Sequence, residues 1–132
     1  GAGVYVIVIM NTDSSARAIE HIITSFEPHE EQHIRTLLAD VLSGVVIQEL
    51  VPQVGGGYVS VHEVLLNTPS VHTLIATSRF QQIDQAIKSA RGEGMMSIDH
   101  ELASLSRSQK ISLEHAREYA KDRETLEALL RS

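Results

Sequence analysis

The sequence predicts an α/β fold: one buried strand, two helices and a β-hairpin, then an all-helical remainder. Three observations carry that prediction. Residues 4–10 (VYVIVIM) are seven consecutive apolar positions, mostly β-branched, the composition of a strand buried on both faces in a parallel sheet. Residues 45–51 and 58–66 are strand-like and flank the turn-forming stretch Pro52-Gln53-Val54-Gly55-Gly56-Gly57, which reads as a hairpin. Beyond Pro69 the apolar residues recur only at helical spacing.

Taken in order, the first strand ends at a cluster of helix-capping residues, Thr12, Asp13 and Ser14. The helix they open places Ala16, Ile19, Ile22, Ile23 and Phe26 on one side. Pro28 suits the first position of a second helix, which carries Ile34, Leu37, Leu38, Val41 and Leu42 and ends near Gly44. The hairpin follows. Thr68-Pro69-Ser70 starts a short helix bearing Val71, Leu74 and Ile75. Residues 79–91 predict another, with Phe80, Ile83, Ile87 and Ala90 on one face and Gly92 or Gly94 as its left-handed cap. Ile98, Leu102 and Leu105 mark the next, Ser112 begins the penultimate helix and Asp122 caps the last.

A fully buried parallel strand needs neighbours on both sides, and the rest of the chain offers only one pair. With no initiator Met, this predicts that the sequence is a piece of a longer one. The expected organisation is 1–67 as the α/β part and 68–132 as a helical extension.

Composition narrows the function classes. The 132 residues are 42% hydrophobic and carry a net charge of −6 with no basic stripe, which argues against nucleic acid and anionic lipid as partners. No apolar run approaches the roughly 20 residues that cross a bilayer, so no membrane insertion is expected. The N-terminus lacks a basic region and a small-residue cleavage site, so no signal peptide is expected either. Zero cysteines exclude a disulfide scaffold, a thiol nucleophile and a Cys-based zinc site.

Four features bear on chemistry. His29-Glu30-Glu31-Gln32-His33 matches the HExxH zinc pattern. Pro28 puts His29 in a frayed first turn and no third ligand follows downstream, so a polar helix start is the preferred reading and no metal is expected. Gly55-Gly56-Gly57 lies between strands and lacks the phosphate-loop pattern. The junction Asn11, Thr12, Asp13 and Ser14 lies at the C-terminal end of a buried strand, where open α/β sheets bind ligands; its hydroxyls and amides suit either simple capping or a phosphate. Glu63 falls by alternation on the apolar face of its strand with Val59, Val61 and Leu65. Either it is buried and needs a partner, or the strand end projects into solvent. His62 points the other way and is expected to be exposed.

In order and spacing, these segments resemble the C-terminal portion of the PilT family of type IV pilus retraction ATPases, within the secretion ATPase superfamily. Asn11-Thr12-Asp13-Ser14-Ser15-Ala16-Arg17 with Ile19-Glu20 and Ile22-Ile23 is similar to the family's HTNSAAK-x-I-D-x-I-I stretch. Phe26, Pro28 and Ile34-Arg35 fit its FPxxxxxxIR helix, and Leu42-Ser43-Gly44-Val45-Val46 with Gln48 and Leu50 fits L-x-G-V-I-x-Q-x-L. The glycine turn followed by His62-Glu63 and Leu65, and then Gly94-Met95-Met96-Ser97-Ile98-Asp99, match two further family segments. The resemblance covers nearly the whole chain.

The resemblance implies the C-terminal part of a RecA-like ATPase core over 1–67, followed by the helical extension. It further implies a cytoplasmic hexameric motor at the inner-membrane base of the pilus machine. That motor would use ATP and Mg2+ to drive retraction and twitching motility, against a pilus-base or inner-membrane platform protein. Walker A and Walker B would lie upstream, so this chain alone is expected to be inactive, with no cofactor and no certain catalytic residue of its own. The absence of a four-cysteine zinc element points to the retraction branch. Residues 11–14 occupy the histidine-box position near the γ-phosphate, with Asn11 in place of the imidazole. The family's AIRNLIRE motif maps onto Ser70, Val71, His72, Thr73, Leu74, Ile75, Ala76 and Thr77, with both arginines replaced by His72 and Ala76. A catalytically silent or divergent paralogue, acting in ring assembly or protein interaction, is the alternative these departures imply.

Overall fold

The computed structural model describes residues 5–10 and 14–132. Three strands form one sheet in the order β1 (Tyr5–Met10), β2 (Leu42–Pro52), β3 (Tyr58–Leu66). β1 runs parallel to β2, with Ile7 opposite Val45 and Ile9 opposite Ile47. A parallel pair needs a crossover, and helices α1 (Ser15–Thr24) and α2 (Glu31–Val41) make it. β2 and β3 are antiparallel from Gly44 opposite Leu66 to Pro52 opposite Tyr58. Their turn uses positive φ at Gly55, Gly56 and Gly57, a backbone region that only glycine enters without strain.

The first strand departs from the expectation of burial on both faces. Ile7 and Ile9 pack on the core, whereas Val6 and Val8 are 50% and 62% exposed. Period-two alternation sends these pairs to opposite faces, and the core formed by the described residues covers only one of them.

The second helix also differs. Pro28–Glu30 is a 3-10 turn with Pro28 in its first turn, and α2 starts only at Glu31. It ends at Val41, and β2 follows without a loop, so Leu42 and Gly44 are strand residues and not the helix end. The Asn67 side chain closes this corner by donating to the carbonyls of Ala39 (2.8 Å) and Leu42 (2.6 Å). Gly44 fits there because a Cβ would lie 2.7 Å from the Leu65 carbonyl oxygen. Of the predicted apolar stripe, Ile34 and Leu38 are half-buried and Leu37 and Val41 are exposed.

The C-terminal helices are α3 (Pro69–Ala76), α4 (Ile83–Ser89), α5 (Ile98–Arg107), α6 (Leu113–Tyr119) and α7 (Arg123–Arg131). The single helix expected over 79–91 is instead a 3-10 turn Phe80–Gln82, then α4, then a 3-10 turn Arg91–Glu93. Gly94, at φ +93°, supplies the left-handed residue after it. Thr68, Ser97, Ser112 and Asp122 each cap a helix through a side-chain oxygen.

These helices are stitched onto the hairpin. Val64 and Met96 exchange backbone hydrogen bonds of 2.8 and 3.1 Å, and the Val54 amide donates to the Lys110 carbonyl at 2.8 Å. One apolar core therefore runs from Ile19 on α1 through Ile47 on β2 and Leu65 on β3 to Ile87, Leu102 and Leu126 on α4, α5 and α7. Among the described residues no helix is long and apolar enough to cross a membrane.

Candidate functional site

The site is built around the start of α1. Ser14 is in extended conformation, and its Oγ accepts from the Arg17 amide at 3.1 Å. Of the predicted capping cluster, Ser14 is thus the N-cap; Asn11, Thr12 and Asp13 lie outside the described residues. Ser15 is fully buried, and both its amide and its hydroxyl donate to Glu63 Oε2, each at 2.6 Å.

Alternation along β3 explains how Glu63 gets there. It faces inward between Val61 and Leu65, opposite Ile47, and is 8% exposed. Of the two readings open for this residue, burial with a partner is the one found, and the partner is a serine rather than a cation. Burial raises its pKa above the ordinary carboxylate range; the two Ser15 hydrogen bonds pull the other way, Asp84 adds to the rise and Lys121 opposes it.

Ser14 and Glu63 form one wall of a cleft of ≈ 430 Å³. The rest of the lining comes from α4, the start of α5, the α6–α7 linker and the start of α7. Asp99, nearly buried at the start of α5, accepts from the backbone amides of Lys121 (2.8 Å) and Asp122 (3.0 Å). Burial raises its pKa while those two amides pull it down. The Lys121 ammonium pairs with Glu49 at 2.8 Å, and Lys88 bridges Asp122 (3.2 Å) and Thr125 (3.1 Å). Asp84 is raised as well, by burial first, with the Lys88 charge acting against it.

The cleft is lined by five carboxylates and three cationic side chains. It does not suit a phosphate: the excess charge has the wrong sign, and the Ser15 and Arg17 amides at the helix start already have acceptors.

The remaining sequence candidates lie elsewhere. Ser70, Val71, His72, Thr73, Leu74 and Ile75 all fall on α3, and none lines the cleft. Val71 and Ile75 are buried in the core, and His72 Nε2 lies 2.8 Å from Asp40 Oδ1, tying α3 to α2. His29 sits in the 3-10 turn and His33 in α2, so the two do not share a continuous α-helical face. Among the described residues no cluster of three or more His, Asp or Glu side chains could hold a metal. His62 is half-covered rather than exposed, because α5 packs over β3; its amide donates to Glu101 Oε1 at 2.6 Å.

Sequence reasoning missed Asp84, Asp99 and Lys121. They come from three separate segments, and only Asp99 lay in a stretch that had drawn notice, the Gly94-to-Asp99 run.

No protein-family model matches the chain. It is 34% identical to the type IV pilus retraction ATPase PilT of Pseudomonas aeruginosa over 112 residues, covering 85% of this chain and 33% of that protein. It is 30% identical to a twitching motility protein of Neisseria gonorrhoeae over 118 residues, 89% of this chain and 32% of that one. The chain spans about a third of the length of the curated relatives it matches. Its fold superposes on the crystal structure of the pilus retraction motor PilT with bound ADP at a TM-score of 0.77, with 26% identity, over 89% of this chain and 32% of that one.

Proposed function

The chain is a PilT-family segment, and from that premise we propose that it is the C-terminal portion of a hexameric motor subunit that couples ATP hydrolysis to pilus retraction and twitching motility. The observation that carries this reading is the shared fold with the retraction motor over 89% of the chain, together with 34% identity to a pilus retraction ATPase. In this reading 1–67 completes a RecA-like core and 68–132 is its helical extension. The uncovered apolar face of β1, with Val6 and Val8, supports the reading, because such a face calls for cover from elsewhere. The full-length subunit works in the cytoplasm, at the inner-membrane base of the pilus machine, against a platform protein.

ATP with Mg2+ would supply the phosphoryl chemistry, and its phosphates would be held outside this chain's acidic cleft. The chain's own contribution is positional. Ser14 and Glu63 fix the first turn of α1, and residues 11–14 lead into it beside the nucleotide. Residues 70–75 lie on α3, which the contact between Asp40 and His72 ties to α2.

A second reading, a catalytically silent paralogue that assembles the ring or docks a partner, is favoured by Asn11 at the histidine-box position and by His72 and Ala76 where the retraction motif carries arginines. An amide can hydrogen-bond but cannot titrate near neutral pH or carry positive charge. ATP turnover by the full-length protein, wild type and Asn11→His, separates the two. Turnover by the wild type supports the motor; turnover by Asn11→His alone, or by neither, ends that role for this subunit and leaves the silent paralogue.

A further inference from the structure

We infer that Glu63 is a positioning residue for the nucleotide-facing edge: from β3 its carboxylate holds Ser15, the first residue of α1, and so fixes where that helix begins. The inference rests on the reading of residues 11–14 as nucleotide-proximal.

The first four amides of a helix have no partner within it. In α1 the local cap, Ser14 Oγ, serves the Arg17 amide. The Ser15 amide is served instead by a carboxylate 48 residues further along the chain, which also takes the Ser15 hydroxyl. Both donors belong to one residue and meet one oxygen, Oε2, at 2.6 Å. The clasp is rigid at both ends. Ser15 is fully buried, and Glu63 sits mid-ladder between the Gln48–His62 and Val46–Val64 pairs.

A carboxylate on this inward face is costly, since burying a charge without a counter-charge is unfavourable. Packing alone is better served by an apolar side chain between Val61 and Leu65. What the carboxylate supplies is a two-point hold on the start of α1. It also borders the cleft that Lys121 enters from the α6–α7 linker, so the hold on α1 and the packing of the C-terminal helices meet at one buried group.

The test uses the full-length protein with wild type, Glu63→Leu, Glu63→Gln and Ser15→Ala. Three measurements are made: ATP kinetics resolved into kcat and KM, hydrogen exchange at the first-turn amides of α1, and thermal unfolding to confirm that each variant is folded. A misplaced start of α1 is expected to lower kcat about tenfold or more with KM changed less than about threefold. Exchange at the Ser15 amide should quicken about tenfold in Glu63→Leu. Glu63→Gln keeps an acceptor and should recover most of both losses, which a purely space-filling role would not produce. Folded Glu63→Leu and Ser15→Ala proteins with wild-type kcat and wild-type α1 exchange overturn the inference. A wild type that turns over no ATP overturns the motor reading, and the positioning role with it. That result is distinct from an active enzyme indifferent to Glu63.

Discussion

Glu63 Oε2 accepts both the amide and the hydroxyl of Ser15, at 2.6 Å each, and so joins the third strand to the start of the first helix. The bond ties the first helix of the β1–β2 crossover to the strand that pairs with β2 on its other side. It accounts for a carboxylate on a face otherwise made of Val61 and Leu65.

This geometry predicts a signed pH dependence. Burial raises the Glu63 pKa above its ordinary 4.5, so in the window above 4.5 the folded state holds a proton that the unfolded state has released. Its contribution is therefore fully present below that value and declines as pH rises through the folded pKa. The charged groups facing it are Asp84, which raises the pKa further, and Lys121, which lowers it. Urea unfolding of wild type and Glu63→Gln from pH 4 to 8 should show the variant gaining on wild type as pH rises.

Asp99 anchors the α6–α7 linker by accepting from the Lys121 and Asp122 amides. Asp99→Ala strands both donors in a partly buried setting and should cost roughly 1–3 kcal/mol. Chemical denaturation measures the loss. Loosened exchange at the Lys121 and Asp122 amides would locate it.

Two glycines should respond in opposite directions to alanine. At Gly44 a Cβ would sit 2.7 Å from the Leu65 carbonyl oxygen, so Gly44→Ala must spread the β2–β3 ladder and should cost about 1–3 kcal/mol. At Gly92 a Cβ meets nothing within 4 Å, and its φ is not positive. Gly92→Ala should be neutral or stabilise by up to ~1 kcal/mol, because it restricts the unfolded chain. Melting curves of the two variants make the comparison.

The parts of the fold that were readable in the sequence were those fixed by local chemistry. The β3 boundaries followed from alternation beside a glycine turn, and Thr68, Ser112 and Asp122 announced their helices by capping. Where local signals were ambiguous the reading slipped. Pro28 is compatible with an α-helix or a 3-10 turn, and the apolar run 4–10 does not say which face is covered. The site was less legible because its pairings are distant. Alternation singled out Glu63 but could not name Ser15, and Asp99 and Lys121 meet only through the packing of α5 on the α6–α7 linker.

In the proposed motor the start of α1 borders a nucleotide. Hydrogen exchange at the first-turn amides of α1 in the full-length protein, measured with and without Mg2+ and a non-hydrolysable ATP analogue, is the decisive measurement. Slowed exchange at Ser15 through Ala18 on nucleotide binding is the predicted result. Unchanged exchange there while the analogue is bound, or no binding of the analogue at all, would contradict it.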